Sequence, residues 1–233
     1  MGLMPTTITD GAALLARAAV LAARARPDDR AVLGITGAPG AGKSTLAARI
    51  VAGLGHDTAV LVPMDGFHLT DALLRQLGRS ERKGAPDTFD ADAFVDLLRR
   101  LRLRGKSSFA PVFDRARELA EVGGMLVPAH VPLIVTEGNY LLLDAGPWQP
   151  IASLLDECWF VDLDDRLRRD RLRRRHEAHG WPAGQAAART LGSDEANAVL
   201  VTASRDRADV IVATGGSYGP VTTPSSWPDH IRP

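Results

Sequence analysis

The sequence predicts one large α/β domain built on a parallel sheet, and three observations carry that prediction. Short, continuously apolar runs, the pattern of strands buried on both faces, recur at residues 31–36, 58–63, 132–136, 157–162 and 209–212. Stretches of helical periodicity separate them. Between the first run and the helix after it stands Gly37-Ala38-Pro39-Gly40-Ala41-Gly42-Lys43-Ser44, with the Gly-x-x-x-x-Gly-Lys-Ser spacing of a phosphate-binding loop. A chain of 233 residues needs no second domain to hold these elements.

Residues 1–30 read as an N-terminal helix packed on the core. Asp10 caps it, Leu14, Leu15, Ala18, Leu21 and Ala22 share one face, and Pro27-Asp28-Asp29 ends it. The strand at 31–36 then enters the loop, where Gly37, Gly40, Ala41 and Gly42 bring backbone N–H groups close to a polyphosphate with little side chain in the way. A helix beginning near Lys43 adds the positive end of its dipole. Lys43 suits the β- and γ-phosphates of a nucleotide as a mobile charge, and the Ser44 hydroxyl suits a Mg²⁺ ion.

The run 58–63 delivers Met64-Asp65-Gly66-Phe67-His68 to its carboxyl end, where open α/β sheets bind ligands. Asp65 is the candidate base, or orienter, for an attacking hydroxyl; an ordinary turn aspartate before Gly66 is the alternative. His68 reads as a substrate contact or a structural histidine, and Phe67 as pocket wall or core. Residues 79–90 form a polar loop, and if it folds over the rim, Arg82 and Lys83 hold an anionic group. Asp90 or Asp92 begins a helix through residue 103 with Phe94, Leu97, Leu98 and Leu101 as its apolar stripe.

Strand-like runs at 107–113 and 124–128 predict a small excursion at the pocket edge, with a contact-capable polar run at 114–117. Glu137, just past the third core strand and downstream of a phosphate loop, is the metal-side acid, by binding or orienting Mg²⁺. After the fourth strand comes an arginine-rich helix at 166–176. Its position suits a lid spanning about 166–180, whose arginines neutralise charge on a transferring phosphoryl group. Arg168 is expected on the face opposite Arg171 and Arg175, and to matter little. Gly180-Trp181-Pro182 ends the lid, Ser193 starts a helix carrying Val199, Leu200 and Val201, and residues 214–233 read as a loosely ordered tail.

Composition narrows the partners. With 28 basic and 28 acidic residues the summed charge offers no footprint for nucleic acid or an acidic membrane surface. A nucleic-acid reading would rest on the 166–175 arginines alone. The three lysines are Lys43, Lys83 and Lys106, so a lysine in a motif is more informative here than an arginine. The single cysteine, Cys158, reads as a small buried hydrophobe in a reducing compartment. The apolar stretch 12–25 is broken by Arg17 and Arg24, so neither a secretory signal nor a membrane span is expected, and the location is expected to be cytoplasmic. A homodimer is compatible with the sequence.

Residues 34–44, Met64-Asp65-Gly66-Phe67-His68, Arg82-Lys83-Gly84-Ala85-Pro86 and Glu137-Gly138-Asn139-Tyr140 together resemble the P-loop kinase group that holds uridine kinase, bacterial pantothenate kinase, phosphoribulokinase and the fructose-transport-system kinases. The resemblance covers residues from about 30 to 213. It implies a three-layer α/β/α sandwich around a five-stranded parallel sheet, and phosphorylation of a small-molecule hydroxyl by ATP with Mg²⁺. Carried over by motif, Lys43, Ser44 and Thr45 bind nucleotide and metal, Asp65 is the base, and Glu137 is the metal-side acid. Arg82, Lys83, His68 and Tyr140 face the acceptor, Arg171 and Arg175 are lid arginines, and Asn197 lies near the adenine.

A regulatory switch or a P-loop ATPase acting on a protein partner is the other class. Neither an Asn-Lys-x-Asp guanine motif nor a Leu-Ser-Gly-Gly-Gln signature is present. The basic pair Arg82 and Lys83, with a small aromatic supply of Phe67, Phe89 and Tyr140, favours a polyhydroxylated or anionic acceptor over a nucleoside.

Overall fold

The computed structural model describes residues 4–114 and 119–213. In chain order the strands are β1 (Thr6–Ile8), β2 (Ala31–Thr36), β3 (Ala59–Pro63), β4 (Ser108–Asp114), β5 (Leu119–Val127), β6 (Leu133–Glu137), β7 (Glu157–Asp162) and β8 (Val210–Ala213). The helices are α1 (Gly11–Ala23), α2 (Lys43–Leu54), α3 (Asp71–Gln76), α4 (Ala91–Arg102), α5 (Ile151–Leu154), α6 (Asp165–Ala178), α7 (Ala183–Leu191) and α8 (Ser193–Thr202). One parallel sheet runs β1-β8-β7-β2-β6-β3, while β4 and β5 form a separate antiparallel hairpin.

Strand alternation explains the layers. Val32, Val62, Ile134, Phe160 and Ile211 point to one face and pack with α4 and Val201 of α8. Leu33, Ile35, Leu61, Val135, Trp159, Val161 and Val212 point to the other and pack with α1 and α2. Every residue of β2 and β6 is buried, which is why both read as unbroken apolar runs. Cys158 is buried among the first set, and burial pushes its thiol well above its ordinary range.

The sheet has six strands where five were expected. The extra one, β1, is the three-residue edge Thr6-Thr7-Ile8 beside β8, too short to show a period of two. Residues 1–30 therefore supply a strand as well as α1, whose N-cap Asp10 accepts from the Ala12 and Ala13 amides. Helices α3 and α7 were not foreseen; the buried positions of α7 are only Ala186 and Thr190, too little apolar bulk to mark a face. The polar run expected at 114–117 falls largely outside the described residues, and the tail expected at 214–233 falls wholly outside them. No described helix is long and apolar enough to cross a membrane.

One buried side chain ties the elements below the sheet together. The guanidinium of Arg30, 1% exposed, donates to the carbonyls of Leu101, Leu103, Lys106, Pro128, Ala129 and Val131. It closes the C-terminal end of α4 onto the chain that leaves β5 and enters β6, and its hydrogen bonds among the described residues all go to carbonyl oxygens.

Candidate active site

The phosphate loop fills the turn between β2 and α2 as the sequence predicts. Gly40 (φ +82°) could not be replaced: a Cβ there would stand 2.6 Å from Leu172 Cγ and 2.9 Å from the Arg168 carbonyl oxygen. The loop is thus covered by α6, packed against its backbone. Gly42 is the left-handed N-cap of α2, and the Ala41 amide donates to the Ala38 carbonyl at 3.1 Å. Thr45 lies half-buried in the first turn of α2.

Lys43 is 8% exposed and its Nζ donates to the Ala38 carbonyl at 3.2 Å. Burial pulls its ammonium down to about 8, opposed by the carboxylates of Glu137 and Asp65 and assisted by the charges of Arg175 and Arg168. The Ser44 hydroxyl donates to Glu137 Oε1 at 3.1 Å. Glu137 closes β6, which sits between β2 and β3, and the Gly138 amide bonds the Ile35 carbonyl at 3.1 Å. The hydroxyl and carboxylate form a small set of hard oxygens beside the loop. Among the described residues no group of three His, Cys, Asp or Glu side chains is assembled for a metal. Both facts fit Mg²⁺, which takes one or two protein oxygens and completes its shell with phosphates and water.

Asp65 follows β3 in a 3-10 turn, Met64–Phe67, and shares a cleft with Lys43, Ser44 and Glu137. The neighbouring wall is His68, Lys83, Gly84, Phe89 and Phe113. His68 is fixed there by its Nδ1 contact with the Asp65 carbonyl at 3.0 Å, and by tilted ring contacts with Phe89 at 4.0 Å and Phe113 at 4.9 Å between centroids. Lys83 pairs with Asp71 at 2.8 Å and keeps only 13% of its side chain exposed.

Two residues expected at the acceptor stand outside the cleft. Arg82 is outside the cleft, 54% exposed and paired with Asp87 at 2.6 Å. Successive residues 82 and 83 leave a 3-10 turn in different directions, so only the lysine turns inward. Tyr140 is 1% exposed, packs edge-on against Phe89 and Trp148, and donates its hydroxyl to the Gly84 carbonyl. It holds the Lys83-Gly84 loop and does not line the cleft. Asn197 lines the cleft, across from Gly84.

Helix α6 corrects the reading of Arg168. Residues 168, 171 and 175 are spaced i, i+3 and i+7, which puts them on one helical face and not on opposite ones. Arg168 is 1% exposed; it reaches Glu195 at 2.6 Å, Asp165 at 2.9 Å and the Pro39 carbonyl of the phosphate loop at 3.5 Å. Arg171 Nη1 lies 3.7 Å from where a Gly42 Cβ would be, over the loop, and Arg175 lines the cleft. By contrast Arg174 has 73% of its side chain exposed and is paired with Asp170 at 2.9 Å.

Sequence reasoning missed the rest of this wall. His176 and Asp194 line the cleft and meet at 2.7 Å, and Arg189 donates to the Lys83 carbonyl at 3.4 Å while stacking on Trp181. Asp194 and Glu195 are the first-turn acids of α8, a position where acids usually serve the helix dipole. Nothing in the sequence distinguishes that role from a pairing across the lid.

Comparison with known proteins gives the same picture. The model of the phosphoribulokinase / uridine kinase family matches residues 32–218. A Schizosaccharomyces pombe protein named "putative uridine kinase" is 31% identical over 194 residues, 78% of this chain and 83% of its own. Escherichia coli YggC is 32% identical over 190 residues, 80% of this chain and 78% of its own. A crystal structure described as a "putative fructose transport system kinase", from Silicibacter sp. TM1040, superposes with a TM-score of 0.80 at 36% identity, covering 88% of this chain and 99% of that one.

Proposed function

This chain belongs to the phosphoribulokinase / uridine kinase family of ATP-dependent kinases, and on that premise we propose that it transfers the γ-phosphoryl group of ATP to a hydroxyl of a small polar metabolite. A polyhydroxylated or anionic acceptor is preferred to a nucleoside. The observation that carries the reading is the meeting, in one cleft, of Lys43, the Ser44–Glu137 pair and Asp65. A place for phosphates lies beside a carboxylate able to take a proton.

In this reaction the acceptor oxygen bonds to the γ-phosphorus, the bond from that phosphorus to the β–γ bridging oxygen breaks, and ADP leaves with the electron pair. The hydroxyl proton passes to the Asp65 carboxylate. Lys43 and the loop amides hold the β- and γ-phosphates, so that the cost of orienting them is met on binding. Ser44 and Glu137 would hold a Mg²⁺ ion, which would supply charge neutralisation at the phosphates. Arg171 and Arg175 stand where negative charge grows, and α6 keeps water from the loop.

The acceptor preference draws support from the aromatic wall. The His68 ring is already in tilted contact with both Phe89 and Phe113, so these aromatic rings of the wall are engaged with one another. Lys83 adds a cation to the same wall. A coupled ADP-release screen with MgATP across sugars, sugar acids, pantothenate, uridine and cytidine tests the proposal. Release stimulated by a sugar or an acid is expected. Turnover with uridine or cytidine alone would invert the ranking, and release indifferent to every acceptor would point to an ATPase or a switch.

A further inference from the structure

We infer that the inner wall of the lid, Asn197 together with the Asp194–His176 pair, is the specificity surface for the acceptor's hydroxyl groups. The inference rests on the kinase reading above and assigns the end of the acceptor remote from the hydroxyl that is phosphorylated.

Asn197 carries the argument furthest. It is 6% exposed and lines the cleft, and its amide makes no hydrogen bond to another described residue. A primary amide offers two donors and a two-lone-pair acceptor, and one that opens on a cleft presents them to whatever enters it. The nearest wall is Gly84: a Cβ there would lie 3.8 Å from Asn197 Nδ2. Gly84 does not satisfy the amide, because its own N–H donates to Thr88 Oγ1 at 2.9 Å and its carbonyl receives the Tyr140 hydroxyl. The absence of a side chain at 84 keeps the strip in front of the amide open.

The second observation is independent of the first. Asp194 and His176 are nearly buried, with 14% and 12% of their side chains exposed, and meet through Oδ2 and Nε2 at 2.7 Å. That contact uses Oδ2 and leaves Oδ1 as a further acceptor on a residue that lines the cleft. A carboxylate oxygen beside a primary amide is a recognition set for hydroxyls, which donate to the first and both donate to and accept from the second. The imidazole positions the carboxylate, and α6 and α8 thereby reach the acceptor together. The chemical class is a polyol, a sugar or a sugar acid.

The test uses the full chain with MgATP and the best sugar or sugar acid found in the screen, with its deoxy analogues. Asn197→Asp, which keeps the shape, Asn197→Leu and Asp194→Asn are compared with wild type. The acceptor KM is expected to rise about tenfold or more in each, with kcat and the MgATP KM little changed. For one deoxy analogue the penalty of Asn197→Leu should disappear, because the lost partner is already absent. His176→Gln should raise the acceptor KM less than Asp194→Asn does. An unchanged acceptor KM with a raised MgATP KM would overturn the inference and return Asn197 to the nucleotide. If wild type itself gives no acceptor-stimulated ADP release, the kinase reading fails and this inference fails with it.

Discussion

Replacing Arg168 with methionine removes the guanidinium while keeping most of the apolar stem. The side chain is 2% exposed, and three contacts disappear: Glu195 at 2.6 Å, Asp165 at 2.9 Å and the Pro39 carbonyl at 3.5 Å. Asp165 is 64% exposed, so its loss counts little. Stripping one partner from a buried ion pair costs about 3–5 kcal/mol when the other charge is left alone. Glu195 is not left alone, because Arg169 Nη2 holds Oε1 at 2.6 Å. The expected loss is therefore about 2–3 kcal/mol, which for a chain of this size is a fall in Tm of about 5–10 °C.

The same pair sets a pH signature. Hydrogen bonds from Arg169 first, and then from Arg168, pull the Glu195 carboxyl down to about 2 against the opposing effect of burial. A depressed carboxylate contributes stability above its unfolded value, here 4.5, and loses it as pH falls toward 2. The Tm gap between wild type and Arg168→Met should thus narrow as the buffer is made acidic through that window. Differential scanning calorimetry across pH, with Arg174→Ala as the exposed control, measures both effects. MgATP KM should also rise in Arg168→Met, since the lid loses its hold on the phosphate loop. If Arg168→Met matches Arg174→Ala in Tm and in KM, Arg168 is a solvated arginine and the reasoning is wrong.

Four more predictions follow from the site and its supports. Nucleotide affinity measured by titration calorimetry should decline as pH rises through about 8, because the buried Lys43 then loses the proton that pairs with phosphate; the unliganded protein should gain stability from about 8 toward 10.5, since the unfolded chain binds that proton more tightly. Asp65→Asn should lower kcat by about two to four orders of magnitude with MgATP affinity nearly unchanged, and equal turnover would reduce Asp65 to a turn residue. Alanine at Arg171 or Arg175 should depress kcat more than it weakens nucleotide binding, as rapid-quench and binding assays in parallel would show. Arg30→Met leaves six carbonyls, two of them in fully buried bonds, without their shared donor and should cost about 3–5 kcal/mol, read as a large fall in the urea midpoint with activity retained below it.

The sequence by itself determined whatever is encoded by local spacing. The phosphate loop, the five longer core strands, the caps Asp10 and Asp90 and the acids Asp65 and Glu137 at strand ends all follow from residue order, because each depends on neighbours a few positions away. Tertiary structure decided what depends on the partner. Arg82 and Lys83 are adjacent and alike in charge, yet one meets Asp87 in solvent and the other turns into the cleft. The arginines of α6 are similarly alike in sequence. Arg174 points to water, while Arg168 is buried by two groups 27 and 129 residues away along the chain, Glu195 and the Pro39 carbonyl. Burial of a charge is a property of the site that receives it, and that site is assembled only when α6 and α8 close on the phosphate loop.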